Sequence, residues 1–251
     1  MTSGVNQARF LDQKAVPIGP DAIHQIGSIA VIAPHPDDES LGCGGLIALL
    51  RQAGYGVNVL FTSDGSMSHP NSKQYPAERL RQLREAEALE ALRVLDVSAD
   101  AVTFMRQKDT QVAMPDSAGY AEAVDFMANW LTQKRPQTVL IPWRRDPHRD
   151  HRASWHQLQG ALKGLPQPPR VLEYPIWLWE LGNEEAQPRP GEVKVWRFGI
   201  EPVMELKQRA IAAHQSQVTQ LIDDDPEGFW LRPHLLTYFE IPEEVYLEPI
   251  D

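Results

Sequence analysis

The chain has 251 residues, 42% of them hydrophobic and 23% charged, a balance that fits one globular core and excludes a disordered chain. A formal net charge of −10 with no basic run argues against a nucleic-acid partner, because an acidic surface repels phosphate. The single cysteine, Cys43, rules out an internal disulfide and suits a reducing compartment.

Residues 1–27 are polar and carry no apolar signal core. No apolar run approaches the roughly 20 residues that a membrane helix needs. The expectation is a cytoplasmic protein without a membrane span, and a homo-oligomer is compatible with it. One domain over 1–251 is expected, with an N-terminal extension at 1–27 and a substrate-side portion from about 165 to 251.

In chain order, residues 28–33 form a β-branched apolar run that reads as a buried strand. The Pro34-His35-Pro36 segment stops it, since two prolines hold the backbone extended. Residues 41–53 then read as a helix closed by Gly54. Residues 57–62 read as a second strand, with a turn at Asp64-Gly65. Leu80, Leu83, Leu89, Leu92 and Leu95 recur at helical spacing, which predicts a long helix over 77–95.

A strand at 101–105, a helix at 120–132, a strand at 138–142 and a helix at 151–162 follow. Strands are predicted at 171–179 and 193–200, and a helix at 202–222. The Pro188/Pro190 loop is expected near the substrate mouth. Strands alternating with helices predict an α/β fold, a Rossmann-like three-layer sandwich with a mostly parallel sheet, plus a smaller strand-containing C-terminal portion. Ligands in such sheets sit beyond the strands' carboxyl ends, where strand order reverses.

Two polar clusters follow predicted strands. His35-Pro36-Asp37-Asp38-Glu39 packs one imidazole and three carboxylates together, and a divalent cation is the simplest way to offset their repulsion. His35 and Asp38 would then face one point, with Asp37 beside it, while Glu39 is open between a hydrogen-bonding role and a helix start. In His148-Arg149-Asp150-His151, one histidine would complete three protein ligands and leave a position for water. Read alone, the second cluster is equally well a polar surface loop.

These residues resemble the PIG-L/LmbE-like family of zinc-dependent N-deacetylases over about 28–162. Pro34-His35-Pro36-Asp37-Asp38-Glu39 is similar to its (A/P)HPDDE motif and His148-x-Asp150-His151 to its HxDH motif. Thr62-Ser63-Asp64-Gly65 and Arg84-Glu85-Ala86-Glu87 add weaker matches. The resemblance implies His35, Asp38 and His151 as ligands of Zn2+, with Fe2+ as an alternative occupant. It implies Asp37 as general acid/base, His148 as oxyanion stabiliser with Asp150 beside it, and Arg84 and Asp109 as substrate contacts.

The implied partner is a small N-acetylated sugar or glycoside of the N-acetylglucosaminyl type. Ser66 stands where some relatives carry an acid, and Arg149 replaces a common proline. The alternatives are an amidase for a larger acyl or thiol-conjugate amide, and a metal- or sugar-binding module without turnover. An oxidoreductase lacks its glycine fingerprint here. Cys43 is expected to pack as a small hydrophobe. Trp177, Trp179 and Trp196 are divided between sugar stacking and core packing. His214 is expected to be a core or surface histidine.

Overall fold

The computed structural model describes residues 16–18 and 20–250; residues 1–15 of the expected N-terminal extension lie outside them. The elements are β1 (Val16–Ile18), β2 (Ile29–Ala33), α1 (Asp38–Gln52), β3 (Val57–Ser63), α2 (Ala77–Val94) and β4 (Val102–Gln107). Then come α3 (Tyr120–Lys134), β5 (Thr138–Pro142), α4 (Arg149–Leu162), β6 (Arg170–Tyr174), α5 (Leu178–Leu181) and β7 (Val193–Gly199). The last are α6 (Met204–Ala213), α7 (Gln215–Val218), α8 (Pro233–Leu236) and β8 (Glu243–Pro249).

The strands join in one sheet, ordered β1-β7-β8-β6-β5-β2-β3-β4. β8 pairs antiparallel with both β6 and β7, and the other pairings are parallel. The C-terminal strands therefore extend the same sheet. Both faces are covered, which is why the central strands are apolar on both sides. Ile29, Val31 and Ala33 of β2 enter the core under α1, α2 and α6, while Ala30 and Ile32 enter the core under α3 and α4.

α1 is buried continuously from Asp38 to Leu50, so its small residues have a packing reason. A Cβ at Gly42 would meet the Tyr174 ring at 2.4 Å, so only glycine lets α1 lie this close to β6. Cys43 is fully buried in the same core, as expected of a small hydrophobe.

Three expectations are corrected. The strand expected at 171–179 ends at Tyr174; Pro175 cannot donate, the Trp177 N–H is taken by Asp146 Oδ2 at 2.9 Å, and the chain turns into α5. The helix expected at 202–222 breaks at His214 (φ −78°, ψ 56°), where the ring turns toward Glu39, and α7 ends at Val218. The Pro188/Pro190 loop packs on Trp143 and Arg145 and is absent from the cavity lining described below.

Candidate metal and catalytic site

Strand order reverses beside β2, whose neighbours are β3 and β5. The loops leaving the carboxyl ends of β2 and β5 bring the two sequence clusters together. The His35 ring lies 4.7 Å from that of His148 and 5.4 Å from that of His151. Asp38 opens α1, and its Oδ2 is 3.4 Å from His35 Nδ1 and 3.3 Å from His151 Nε2. The same oxygen accepts the His35 backbone N–H at 2.9 Å, which fixes its direction.

Asp37 adopts φ 148° and ψ −29°, a conformation that costs a non-glycine residue about 1–3 kcal/mol. Its surroundings hold it there. Its carbonyl accepts from the N–H groups of Ser40 (3.1 Å) and Leu41 (3.0 Å), and its own N–H donates to Glu39 Oε2 at 3.0 Å. Arg84, from α2, donates to the Pro36 carbonyl at 2.8 Å, the Gly65 carbonyl at 2.8 Å and Asp37 Oδ2 at 3.3 Å. Gly65 has φ 61°, and a Cβ there would sit 2.9 Å from the Arg84 guanidinium, so the turn after β3 needs its glycine.

Burial pushes the Asp37 carboxyl up to about 6, with Arg84 opposing the shift. Burial, with the charges of His151 and His35, takes the His148 imidazole down to about 3, so this ring is neutral. His148 Nδ1 accepts the Asp150 N–H at 3.2 Å, which leaves the hydrogen on Nε2.

The other two expected residues also close on His35. Asp109 Oδ1 lies 3.2 Å and Asp150 Oδ2 3.5 Å from His35 Nε2. Their orientation is set by backbone donors: Met67 N–H to Asp109 Oδ2 (2.8 Å) and Thr110 N–H to Asp150 Oδ2 (2.7 Å). His35 thus belongs to more than one ligand-spaced group, since His35/His148/His151 and His35/Asp109/Asp150 each offer atoms within 4.8 Å of one another.

The donor set fits a divalent cation. His35 Nε2 and both nitrogens of His151 are buried and make no well-aligned hydrogen bond, while carboxylate oxygens of Asp109, Asp150, Asp38 and Asp146 stand 3.2–3.5 Å from them, a set of acceptors that a cation among them would satisfy. Burial works against charge on His151, yet Asp38 and Asp146 carry its pKa up to about 9, so the surroundings favour positive charge at this point. Neutral imidazole and carboxylate are both zinc ligands.

Sequence reasoning passed over two supporting residues. Asp146 is fully buried: Oδ1 lies 3.3 Å from His151 Nδ1 and accepts the His148 N–H at 2.9 Å, while Oδ2 accepts the Trp177 N–H. Its only signal was its place in Asp146-Pro147-His148. His214, expected to be a core or surface histidine, is buried against Glu39 and so reaches the backbone of Asp37 through one carboxylate. Glu87, in the weaker helical match, accepts from Ser216 N–H and Oγ at 2.8 and 2.6 Å and ties α2 to α7.

A cavity of about 400 Å3 opens over these groups. Asp37, Asp38, Arg84, Asp109 and His148 line one part. Ile176, Trp177, Leu181, Phe229 and Leu231 line another. Of the three tryptophans, only Trp177 reaches the cavity; Trp179 and Trp196 are buried in the core.

Residues 30–158, just over half the chain, match the family model described as PIG-L: GlcNAc-PI de-N-acetylase. The chain belongs to the PIG-L family. The PIG-L match runs from β2 through α4 and so contains both clusters.

A Bacillus subtilis protein named "Probable N-acetyl-alpha-D-glucosaminyl L-malate deacetylase 2" is 29% identical over 224 residues, 87% of this chain and 95% of its own. Two solved structures share the fold. N,N'-diacetylchitobiose deacetylase from Pyrococcus horikoshii gives a TM-score of 0.69 at 22% identity, covering 96% of this chain and 90% of its own. GalB, the 4-carboxy-2-hydroxymuconate hydratase from Pseudomonas putida, gives 0.65 at 20% identity over 90% and 96%. One architecture thus carries both a deacetylase and a hydratase, and the choice between chemistries rests on the site. No helix among the described residues is long and apolar enough to cross a membrane.

Proposed function

We propose that this PIG-L member is a zinc-dependent hydrolase that removes the N-acetyl group of an amino-sugar or glycoside of the N-acetylglucosaminyl type. The observation that carries the reading is the buried Asp38 oxygen within 3.4 Å of two imidazoles, beside a second carboxyl, Asp37, whose pKa is pushed up to about 6. A binding module has no use for that second, strained carboxyl. The family match and the Bacillus subtilis relative support the amide substrate.

His35, Asp38 and His151 would hold the metal. Bound there, a divalent zinc supplies Lewis acidity that lowers the pKa of water from 15.7 to roughly 7 and polarises the acetyl carbonyl.

The remaining steps belong to the protein. Asp37, ionised at neutral pH, takes a proton from the water that attacks the acetyl carbon. Its strained backbone, pinned by Glu39 and Arg84, holds the carboxylate for that transfer. His148, neutral and protonated on Nε2, donates to the carbonyl oxygen as negative charge develops, a contribution of about 3–4 kcal/mol for a well-placed donor. Asp150 orients His148 through its backbone N–H. Asp37 then returns the proton to the departing nitrogen, and acetate and a free amine leave.

Incubation with a panel of N-acetylglucosaminides, scored for acetate and primary amine, tests the reading. Equal release of both, abolished by chelator and restored by Zn2+, is expected. No acetate from any member of the panel would refute it.

A further inference from the structure

Beyond residue 158 the chain leaves the PIG-L match and supplies a second wall to the cavity. Apart from Gln217, that wall is apolar. The Trp177 ring stands 6.5 Å from the His148 ring, and the Phe229 ring meets Trp177 edge-on at 5.6 Å. Leu181 and Phe229 remain 57% and 37% exposed, two of the few large apolar side chains that the fold leaves in water. Phe229 is held by its N–H donating to the Ser68 carbonyl at 2.7 Å, and Leu231 by its N–H donating to the Gln217 carbonyl at 2.6 Å.

The charges point the same way. Among the described residues lining the cavity, Arg84 is the one lysine or arginine, and it stands on the side of Asp37, donating to Gly65, Pro36 and Asp37. Asp37, Asp38 and Asp109 line the same space. The lining residues from 176 to 231 carry no charge, so an anionic substituent lying against them would lose water without gaining an ion-pair partner. An aryl or alkyl substituent would cover an aromatic and aliphatic surface now facing water.

We infer that the wall of Ile176, Trp177, Leu181, Phe229 and Leu231 binds a neutral, apolar substituent of the substrate in preference to an anionic one. The inference rests on the deacetylase reading and narrows its substrate class. The substituent is either the aglycone of the sugar or the acyl chain on its nitrogen, and both present the same chemistry to the wall.

Two substrate series test it. One keeps the N-acetyl group and varies the aglycone of an N-acetylglucosaminide: methyl, carboxymethyl, octyl, phenyl. The other keeps a methyl aglycone and varies the acyl group: acetyl, butyryl, benzoyl. We expect kcat/KM at least tenfold above the reference for the apolar members of one series, with the carboxymethyl glycoside no better than methyl. Phe229→Ala and, at the more exposed position, Leu181→Ser should each cut that apolar-to-reference ratio at least threefold; a ratio is read within one variant, so general loss of activity does not mimic it. Flat responses in both series, unchanged ratios in both variants, or a carboxymethyl glycoside that outruns methyl would overturn the inference. If no amide is cleaved at all, the deacetylase reading fails instead, and calorimetry with phenyl and methyl glucosaminide decides the wall: tighter phenyl binding supports it and equal binding refutes it.

Discussion

Glu39 and His214 form a buried pair, Nε2 to Oε1 at 2.8 Å, and the other oxygen of Glu39 accepts the backbone N–H of Asp37. A helix break late in the chain therefore supports the strained residue proposed as the base. Burial opposes charge on His214, but Glu39 raises its pKa overall. Removing the ring in His214→Ala should lower kcat about 10–100-fold, the range for lost outer support of a reactive site, while metal content and KM stay near parent values. Elemental analysis beside steady-state kinetics checks this; parent kcat would detach the pair from catalysis.

Asp37→Asn keeps the shape and the backbone contacts but cannot take a proton. The expected outcome is full metal occupancy with kcat reduced about 10²–10⁴-fold. Hydrolysis at the parent rate would assign the base elsewhere.

Asp146 lies 3.3 Å from the far nitrogen of His151 and spans to Trp177. Asp146→Ala should weaken zinc binding about 10–100-fold, measured by competition with a chromophoric chelator. An unchanged affinity would show that His151 is oriented without it, or does not bind the ion.

Lys207 and Glu244 pair at 2.7 Å with only 2% of either side chain exposed, and Glu244 also accepts the N–H groups of Gly45 and Leu46 in α1 at 2.7 and 2.9 Å. Glu244→Ala leaves an ammonium buried without its counter-charge and should cost about 3–5 kcal/mol of stability in urea unfolding. A loss below 1 kcal/mol, on the order of an exposed pair, would mean water reaches Lys207.

Glu192 meets Arg145 Nη1 at 2.5 Å, and that hydrogen bond, ahead of the cost of burial, holds its carboxyl down to about 2 against an ordinary 4.5. A depressed folded-state value means that the pair's stability is fully present above pH 4.5 and drains away as pH falls toward 2. Discounted for solvent screening, the contribution is about 1 kcal/mol. Glu192→Gln should be less stable than parent by about that amount at pH 7, and the gap should narrow steadily below pH 4.5; a gap constant with pH would remove the ion pair as its cause.

Much of the fold was legible because local pattern and tertiary role agree. The strand over 138–142 is found at those residues, and apolar residues of β2 alternate between two cores, as a strand covered on both sides must. The first polar cluster was legible because no ordinary turn needs such residues; the second, equally well a surface loop on its own, drew its reading from the conjunction of both clusters at strand ends. Less legible were residues whose meaning depends on distant partners. Arg84 and Glu87 are buried on α2 while Leu83 and Leu89 are only half-buried, because the helix faces the site and α7 as well as the core. β8 hides a glutamate that Lys207, the Tyr246 hydroxyl and the α1 backbone make tolerable. The apolar wall draws on residues from 176 to 231, a juxtaposition with no local pattern to announce it.

The strand β8 also bears on how the protein comes to be built. It is last in chain order among the described strands, yet it lies between β6 and β7, and β1 is joined to the rest only through β7. Until the ribosome has delivered residues 243–249, β6 has an open flank and β7 has no neighbour connecting it to the central strands. The early half can assemble around β2, β3 and β5 during translation. Closure of the sheet, and with it the anchoring of α1 by Glu244, has to wait for β8 to emerge after every other described strand.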